Sequence, residues 1–297
     1  MEKQNDLPLI SIGVSAYNRK DFLRLSLDSL LAQTYPNCEI IVVDDGSSDG
    51  TGEMMAAEYP QIRYIYQENA GDAAAKNHAA REAHGEYIVF NDSDDLFLPD
   101  TVERLYNALP ENPGNACSYG TYQTIDAAGN PLPTKKKVAV YPSGMIVRDL
   151  LKHIVVNSCG VLIPRRLFLE AGGFDATLRV SHDYKFFLKI AGTTPFFAIQ
   201  EPVFLRRRHG NNLSGATYAK LLIVLKVVEE FAAENPETAE KYRRELHARY
   251  ADLHNKLTRQ ARKEKLKKEA LEHAAASYRY RRSLKSFFRL LGAKLGL

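Results

Sequence analysis

Short apolar runs alternate with helix-like segments over the first third of the chain. The helix-like segments are residues 21–33, a short segment that ends near Tyr59, and residues 72–84. The apolar runs predict β-strands, and the second is continuously apolar, as is typical of a strand covered by helices on both faces. This order predicts a parallel, Rossmann-like sheet with right-handed crossovers. The runs lie at residues 9–16, 39–43, 63–66 and 86–90.

The pattern becomes mixed after a predicted helix near residues 99–109. Two more helices are predicted, at 165–171 and 182–191, and Pro202 interrupts the last predicted strand. Because strands and helices no longer alternate regularly, we expect this half to cover one side of the crevice that the first half opens. The further strands are predicted at residues 117–125, 137–141, 158–164 and 196–205.

Beyond Thr217 the chain is helical and basic. Segments 220–231 and 237–276 predict helices, separated by Asn235-Pro236. Residues 278–297 predict a helix with a stripe of large apolar residues and with basic residues mostly elsewhere around it. Such a helix suits an anionic membrane surface, and it suits packing on its own domain or on a second subunit nearly as well. The stripe consists of Tyr280, Leu284, Phe287, Phe288, Leu291 and Leu295.

Length and composition are those of a globular protein with one large domain, or with one domain and an extension. Its 297 residues are 45% hydrophobic and 26% charged. The net charge of +4 divides into +9 for residues 217–297 and −5 for residues 1–216, so the two parts are expected to meet different partners. Nucleic acid is a poor candidate partner, because no DNA- or RNA-reading motif accompanies the charge.

Cysteine use and hydropathy indicate the compartment. The three cysteines, Cys38, Cys117 and Cys159, lack metal-site spacing and predict free thiols in a reducing environment. The first residues carry no apolar signal segment, and no apolar run is long enough to span a bilayer. We therefore expect a cytoplasmic protein, peripheral at the inner face of the cell membrane if the last helix binds lipid. A homo-oligomer is compatible with the sequence, which does not define the oligomeric state.

Polar residues follow three of the predicted strands at the point where each strand ends. They are Ser15-Ala16-Tyr17-Asn18, Asp44-Asp45 and Asn91-Asp92-Ser93-Asp94-Asp95. Because ligands of parallel sheets bind outside the carboxyl ends of the strands, these residues predict a single crevice. Crowded carboxylates repel one another unless compensated, and oxygen ligands suit Mg²⁺ or Mn²⁺. An Asp-rich turn that caps the next helix would produce the same pattern.

Two common nucleotide-binding classes are excluded by missing glycine patterns. The first strand is not followed by G-x-G-x-x-G, and G-x-x-x-x-G-K-[ST] occurs nowhere in the chain. A dinucleotide dehydrogenase and a P-loop NTPase are therefore both unsuitable interpretations.

Taken in order, a series of short motifs resembles glycosyltransferase family 2, the inverting, nucleotide-sugar-dependent transferases with a GT-A fold. The resemblance covers roughly residues 8–215 and implies an α/β, Rossmann-like, mostly parallel sheet of GT-A type with a C-terminal helical extension. It implies a glycosyltransferase domain at 1–216, with a nucleotide-binding half at about 8–110 and an acceptor half at about 111–216, and the basic extension at 217–297. The motifs are Val14-Ser15-Ala16-Tyr17-Asn18, Val42-Val43-Asp44-Asp45-Gly46-Ser47-Ser48-Asp49-Gly50-Thr51, Ala75-Lys76-Asn77, Gly85-Glu86-Tyr87-Ile88, Asp92-Ser93-Asp94-Asp95, Gly172-Gly173-Phe174-Asp175, His182-Asp183 and Arg206-Arg207-Arg208-His209.

The resemblance implies which residues hold the donor. Ser15, Tyr17 and Asp45 would bind the base of the nucleotide, with Asp45 accepting from the N–H of a uracil-like ring. A turn-capping carboxylate is the alternative for Asp45. Lys76, where the family often has arginine, would reach the ribose or the phosphates; an exposed helix lysine is the alternative.

A second group of residues is implied around the diphosphate. Asp92 and Asp94 form the D-x-D of the family, in which Asp94 would ligate Mn²⁺ or Mg²⁺ and Asp92 would contact the ribose or a metal-bound water. Asp95 would instead cap the following helix. His209 would be a further metal ligand or, alternatively, part of a basic surface.

The predicted catalytic base is Asp183. It stands at the start of a predicted helix, where a carboxylate stabilised by the helix dipole is the alternative. The family usually has Glu-Asp here and this chain has His182-Asp183, so the base is kept and its acidic neighbour is lost. Arg207 and Arg208 would neutralise the diphosphate, and the sequence does not decide which of them points inward.

The resemblance implies a metal-dependent glycosyltransferase of the hexosyl or N-acetylhexosaminyl class. The donor would be a nucleotide diphosphate sugar, with UDP as the expected nucleotide, and the acceptor a glycan or lipid-linked hydroxyl in cell-surface polysaccharide synthesis. One alternative is a nucleotidyltransferase, which should carry a glycine-rich basic loop where this chain has residues 15–20. The other is a non-catalytic nucleotide-sugar-binding scaffold.

Overall fold

The computed structural model describes residues 7–133, 140–210 and 217–294. The chain divides into two compact units, one formed by Met1–Ile146 with Val155–Asn211 and the other by Val147–Ile154 with Asn212–Leu297. The division predicted between residues 216 and 217 stays a prediction.

The first half of the first unit has the predicted alternation of strands and helices. β1, β2, β3 and β4 pair in parallel in the order β3-β2-β1-β4. Every residue of β1 is buried, because helices cover both faces of this part of the sheet. The elements are β1 Ile10–Ala16, α1 Lys20–Leu31, β2 Cys38–Asp44, α2 Thr51–Glu58, β3 Arg63–Tyr66, α3 Asp72–Glu82 and β4 Tyr87–Asp92.

The remaining strands complete one mixed eight-stranded sheet. Its order is β3-β2-β1-β4-β7-β6-β8-β5. β7 is antiparallel to β4 and β6, β5 is antiparallel to β8, and β6 is parallel to β8. The α/β class is thus confirmed, and each antiparallel pair of these strands includes at least one strand of the second half. The elements in chain order are β5 Leu96–Phe97, α4 Thr101–Asn107, β6 Cys117–Ile125, α5 Val147–Lys152, β7 Val161–Pro164, α6 Arg165–Glu170, α7 His182–Ile190 and β8 Phe196–Arg207.

Two predicted strands of the second half need correction. Of the strand predicted at 137–141, residues 137–139 lie outside the described residues, and Tyr141 is not in a strand. The main chain of Tyr141 bonds to a side chain instead of to a neighbouring strand. The Gln200 amide accepts from the Tyr141 N–H and donates to the Tyr141 carbonyl. The strand predicted at 158–164 begins only at Val161, since Gly160 has a φ of +72° that breaks the extended backbone.

Close packing of α3 on β1 places the start of α3 beside the strand ends. A Cβ added at Gly13 would lie 3.1 Å from the Ala79 Cβ and 3.1 Å from the Phe90 ring, so glycine permits this approach. The alanines that face the sheet are small for the same reason. They are Ala75, Ala79 and Ala80, all fully buried.

The second unit is helical. In the described part of the chain, no helix is both long and apolar enough to cross a membrane. The last predicted helix is divided, because α11 ends at Tyr280 and α12 begins at Leu284. Besides α5, its helices are α8 Tyr218–Glu234, α9 Pro236–Lys241, α10 Arg243–Lys263, α11 Lys267–Tyr280 and α12 Leu284–Lys294.

The predicted apolar stripe is divided with it. Tyr280 is half-buried and packs inside the unit against Tyr250, at 4.8 Å between ring centroids. Phe287 and Leu291 on α12 are 45% and 41% exposed. Leu295 lies outside the described residues.

A pair of histidines, the buried His254 and the half-buried His273, joins three helices of this unit. His254 Nδ1 lies 2.9 Å from His273 Nδ1, and His273 Nε2 lies 2.9 Å from the Tyr218 hydroxyl. The Tyr280 ring stacks on His254, with 5.8 Å between centroids. Burial, and then the neighbouring His273 and Arg279, lower the pKa of His254 to about 4; burial also lowers the pKa of His273, against the carboxylates of Glu269 and Glu272.

Acid is therefore expected to destabilise the protein through His254. The folded state binds this proton less readily than the unfolded state, so the stabilisation is complete above about pH 6.5 and is lost as the pH falls towards 4. At pH 5 the loss should be about 2 kcal/mol. Urea unfolding gives the free energy of unfolding of the wild type and of His254→Gln at pH 7.5 and at pH 5. The difference between the two proteins should be smaller at pH 5. An equal difference at both pH values would contradict this account.

Candidate active site

The sheet register places three predicted site segments at one edge. Ser15 lies opposite Asp92 of β4 and Val43 of β2, and Ala16 lies opposite Asp44. The polar residues that follow these strands therefore start from adjacent backbone positions. This edge is the carboxyl end of the parallel strands, where ligands bind in α/β sheets.

Asp94 and His209, the predicted metal ligands, are in direct contact. Asp94 Oδ2 lies 2.8 Å from His209 Nε2, and both side chains are more than 90% buried. The Phe22 ring stacks on the imidazole at 4.8 Å. Arg19, which sequence reasoning did not select, forms an ion pair with the same carboxylate oxygen. Residues separated by more than a hundred positions thus form one compact centre.

This centre fits a divalent cation. Carboxylate oxygen and imidazole nitrogen are both common ligands of Mn²⁺, and Mg²⁺ is usually held by one or two carboxylates with substrate phosphates. The described residues contain no cluster of three or more His, Cys, Asp or Glu side chains arranged around one metal position. Asp94 and His209 would accordingly supply part of the coordination, with phosphate oxygens and water completing it.

Lys76 is buried, so the alternative of an exposed helix lysine is wrong. Its ammonium lies 2.6 Å from Asp92 Oδ1, 2.9 Å from Asp72 Oδ2 and 3.2 Å from the Ser158 hydroxyl, and the side chain is 1% exposed. Burial would lower the pKa of Lys76, but the two carboxylates outweigh it and raise that pKa above its ordinary value. The lysine therefore stays charged.

Asp72 is the central member of this network, and sequence reasoning missed it. It accepts a hydrogen bond from the Ser15 hydroxyl, and its Oδ2 lies 3.2 Å from His182 Nε2. Burial would raise the pKa of Asp72, but Lys76 and then His182 and Ser15 hold it below the usual range. The one available signal was its position four residues before Lys76 at the start of a helix.

Asp45 anchors the loop between β3 and α3. Its carboxylate accepts from the side chain of Gln67 at 2.7 Å and from the backbone N–H groups of Ala70 and Gly71 at 2.8 Å. These bonds hold the segment that leads directly into α3. Tyr17 is 50% exposed.

The two predicted arginines have different surroundings. Arg207 is buried, and its guanidinium donates to the main-chain carbonyls of Asp94, Asp126 and Ala127. Arg208 is exposed.

Asp95 does not cap the next helix, whose N-cap residue is Asp100. It is buried and accepts from the Arg207 N–H at 2.9 Å. Burial, and then the charges of Asp92 and Asp94, raise the pKa of Asp95 well above its usual value.

Asp183 lies in the first turn of α7, as predicted. The helix starts after Ser181, whose φ is +64°, and the half-buried Asp183 accepts from the N–H of Tyr184. The preceding His182 is 6% exposed and packs edge-on against Phe174 at 5.1 Å. Through His182, the segment that carries Asp183 adjoins Asp72.

Continuous contacts thus link most of the predicted site. The loop held by Asp45 leads to Asp72, which contacts Ser15, His182 and Lys76. Lys76 in turn contacts Asp92. Asp94 lies two positions after Asp92 in the chain and contacts His209.

Curated relatives of the chain are named as glycosyltransferases. An uncharacterized glycosyltransferase of Rickettsia felis is 35% identical over 206 residues, covering 68% of this chain and 34% of that protein. The chondroitin synthase of Escherichia coli is 31% identical over 211 residues, covering 70% of this chain and 30% of that enzyme. The chain therefore spans about a third of the length of these two relatives.

Solved structures show the same fold. S. aureus TarS 1–349 in complex with UDP-GlcNAc has a TM-score of 0.61 at 15% identity, with 97% of this chain and 92% of that chain covered. The mannosyltransferase PcManGT from Pyrobaculum calidifontis, in complex with GDP-Man and Mn²⁺, has a TM-score of 0.57 at 21% identity, covering 98% and 81%.

The family assignment rests on more than half of the chain. A sequence model described as Glycosyl transferase family 2 matches residues 11–170, from the second residue of β1 to the end of α6. This range contains the D-x-D segment, Lys76 and the strand ends that converge on the site. The chain belongs to glycosyl transferase family 2.

Proposed function

We propose that this enzyme transfers a sugar from a nucleotide diphosphate donor, with UDP as the expected nucleotide, to a hydroxyl of a glycan or lipid-linked acceptor in cell-surface polysaccharide synthesis. Transfer would proceed with inversion. The observation that carries the proposal is the contact of Asp94 with His209 at the edge where Ser15 and Asp92 end adjacent strands. The UDP-GlcNAc bound by TarS supports the donor class, and the name of the related chondroitin synthase supports a polysaccharide acceptor.

The diphosphate would lie beside Asp94 and His209, which would hold Mn²⁺ or Mg²⁺. The bound cation would supply charge neutralisation of the leaving nucleoside diphosphate. Arg19, already paired with Asp94, and the exposed Arg208 are the cations proposed to face the phosphates. For the buried Arg207 we propose an indirect role, because its guanidinium holds the main chain at Asp94.

The nucleoside would lie over the ends of β1 and β2. Ser15, Tyr17 and Asp45 are proposed to contact the base, and the buried Lys76 is proposed to hold Asp92 towards the ribose. The Asp45 carboxylate already accepts hydrogen bonds from Gln67, Ala70 and Gly71. A contact with the base would use the acceptor capacity that remains on its two oxygens.

Asp183 would act as the base. It would take the proton of the acceptor hydroxyl while that oxygen attacks the anomeric carbon in line with the departing diphosphate. Its half-exposed position at the start of α7 allows contact with an acceptor.

A thermal-shift screen of nucleotide sugars, each with and without Mn²⁺, tests this function. UDP-sugars should raise the melting temperature, and Mn²⁺ should increase the shift, because binding to the native state stabilises it. A larger shift with nucleoside triphosphates than with any nucleotide sugar would favour a nucleotidyltransferase. Binding without donor hydrolysis or transfer would favour a scaffold.

The last helix is proposed to bind an anionic membrane surface at the inner face of the cell membrane. Phe287 and Leu291 are exposed on α12, and residues 278–297 carry an excess of Lys and Arg. Tyr280 packs against Tyr250 inside the helical unit, so a truncation that keeps it and removes residues 283–297 is the suitable variant.

This truncation should abolish flotation with phosphatidylserine-containing liposomes and leave the thermal shift with UDP-sugars unchanged. Neutral phosphatidylcholine liposomes provide the control, and the full chain should bind them much more weakly. Equal binding of full-length and truncated protein to anionic liposomes would rule out this role for α12.

A further inference from the structure

Asp72 contacts side chains from three separate segments of the site. Its Oδ1 accepts from the Ser15 hydroxyl at the end of β1. Its Oδ2 lies 2.9 Å from Lys76 Nζ, one turn along α3, and 3.2 Å from His182 Nε2 at the start of α7. One carboxylate thus connects Ser15, which is proposed to contact the base, and Lys76, which is proposed to hold Asp92, with the helix that carries the proposed catalytic base.

His182 depends on this carboxylate for its polar interaction. Its side chain is 8% exposed, and in the described part of the chain neither ring nitrogen has a hydrogen bond of good geometry. The Asp72 carboxylate lies 3.2 Å from Nε2, while the ring packs edge-on against Phe174. Burial of a polar ring is costly without such compensation, so the pair constrains where α7 begins.

Two carboxylates already surround the single ammonium of Lys76, so a further carboxylate nearby would be repelled. Asp72 and Asp92 already place two negative groups within 3 Å of one ammonium. An acidic residue at position 182, which the family resemblance leads one to expect, would face Asp72 and be repelled by it. In this chain Asp72 of α3 supplies the carboxylate of the contact, and His182 of α7 supplies the imidazole.

We propose that Asp72 is a positioning residue for sugar transfer: through His182 it holds Asp183 in register with the donor site formed by Ser15 and Lys76. This inference rests on the proposed function. A displacement of about 1 Å between a base and its substrate can reduce turnover by about 10²-fold, so the loss of this contact should act on kcat more than on the KM for the donor.

Reciprocal substitution tests the inference. Asp72→Asn should lower kcat by about 10²-fold. His182→Glu should lower both kcat and the melting temperature further, because the new carboxylate opposes that of Asp72. The double variant Asp72→Asn/His182→Glu should regain at least tenfold in kcat over His182→Glu, together with melting temperature, because the repulsion is removed.

The chain offers a matched control at the opposite end of the same strands. Glu39 accepts from the Ser11 hydroxyl at 2.5 Å, and its other oxygen lies 3.1 Å from His84 Nδ1. Glu39→Gln therefore removes a carboxylate with the same kinds of partner, away from the site. It should lower the melting temperature and leave kcat unchanged.

Each outcome is decisive. Recovery of kcat and melting temperature in the double variant supports the positioning role. Recovery of the melting temperature without kcat shows a purely structural contact and overturns the inference. A loss of kcat in Glu39→Gln equal to that in Asp72→Asn overturns it in the same way. An absence of any recovery in the double variant also overturns it. If the wild type transfers no sugar, the proposed function fails and the positioning role fails with it. In that case the melting temperatures still report whether the two side chains pair.

Discussion

Asp183→Asn is expected to lower sugar transfer by about 10²–10⁴-fold while nucleotide-sugar binding stays unchanged. The amide keeps the size of the side chain and its ability to accept the Tyr184 N–H, but it cannot take a proton from the acceptor hydroxyl. Turnover under saturating donor and acceptor measures the first effect, and the thermal shift with the donor and Mn²⁺ measures the second.

Glu103→Gln is the matched control for this variant. Glu103 lies in the first turn of α4, so its substitution also removes a carboxylate near a helix N-terminus and the small dipole stabilisation that accompanies it. Its transfer rate should equal that of the wild type. Turnover near normal in Asp183→Asn would refute the assignment of the base, and a parallel loss of donor binding would show a structural role instead.

Asp94→Asn and His209→Gln should each lower transfer by about 10²–10³-fold and weaken its dependence on Mn²⁺. The two side chains touch at 2.8 Å, so removing either leaves the cation with one fewer protein ligand. A titration of activity with Mn²⁺ in chelator-treated protein should show a raised half-saturation concentration in both variants. The thermal shift produced by Mn²⁺ together with UDP should fall in parallel.

A second histidine–carboxylate pair supplies the control for these variants. His84 Nδ1 lies 3.1 Å from Glu39 Oε2 at the other end of the strands. His84→Gln should leave the Mn²⁺ titration unchanged. Full activity of wild-type enzyme in excess chelator, or an unaltered titration in Asp94→Asn, would contradict a metal site at this position.

The sequence predicted the first half of the sheet because its signals are local. Apolar runs identify β1 to β4, apolar spacing identifies α1, a turn-rich loop precedes α2, and alanine-rich composition marks α3, all without knowledge of distant contacts. α5, which has six residues, and β5, which has two, were not predicted, because such short segments lack a measurable period. β5 exists only as a partner of β8, more than a hundred residues later in the chain.

The orientation of the site residues depended on contacts that the sequence does not reveal. Arg207 is the last residue of β8 and Arg208 follows it. Because successive side chains of an extended chain point to opposite faces, register decides which of the two is buried. Asp45 was predicted to reach the nucleotide, yet loop residues more than twenty positions later occupy much of its carboxylate. Asp72 has the position of an ordinary first-turn acid, and only the fold brings His182 to it.

A crystal of the full chain grown with UDP and Mn²⁺ tests the central claim most directly through the anomalous scattering of manganese. The account predicts one manganese peak within coordination distance of both Asp94 and His209, with the diphosphate of UDP bound to the same ion and the uracil over the ends of β1 and β2. Ordered UDP elsewhere on the protein, or bound at this edge with manganese away from both side chains, would contradict it.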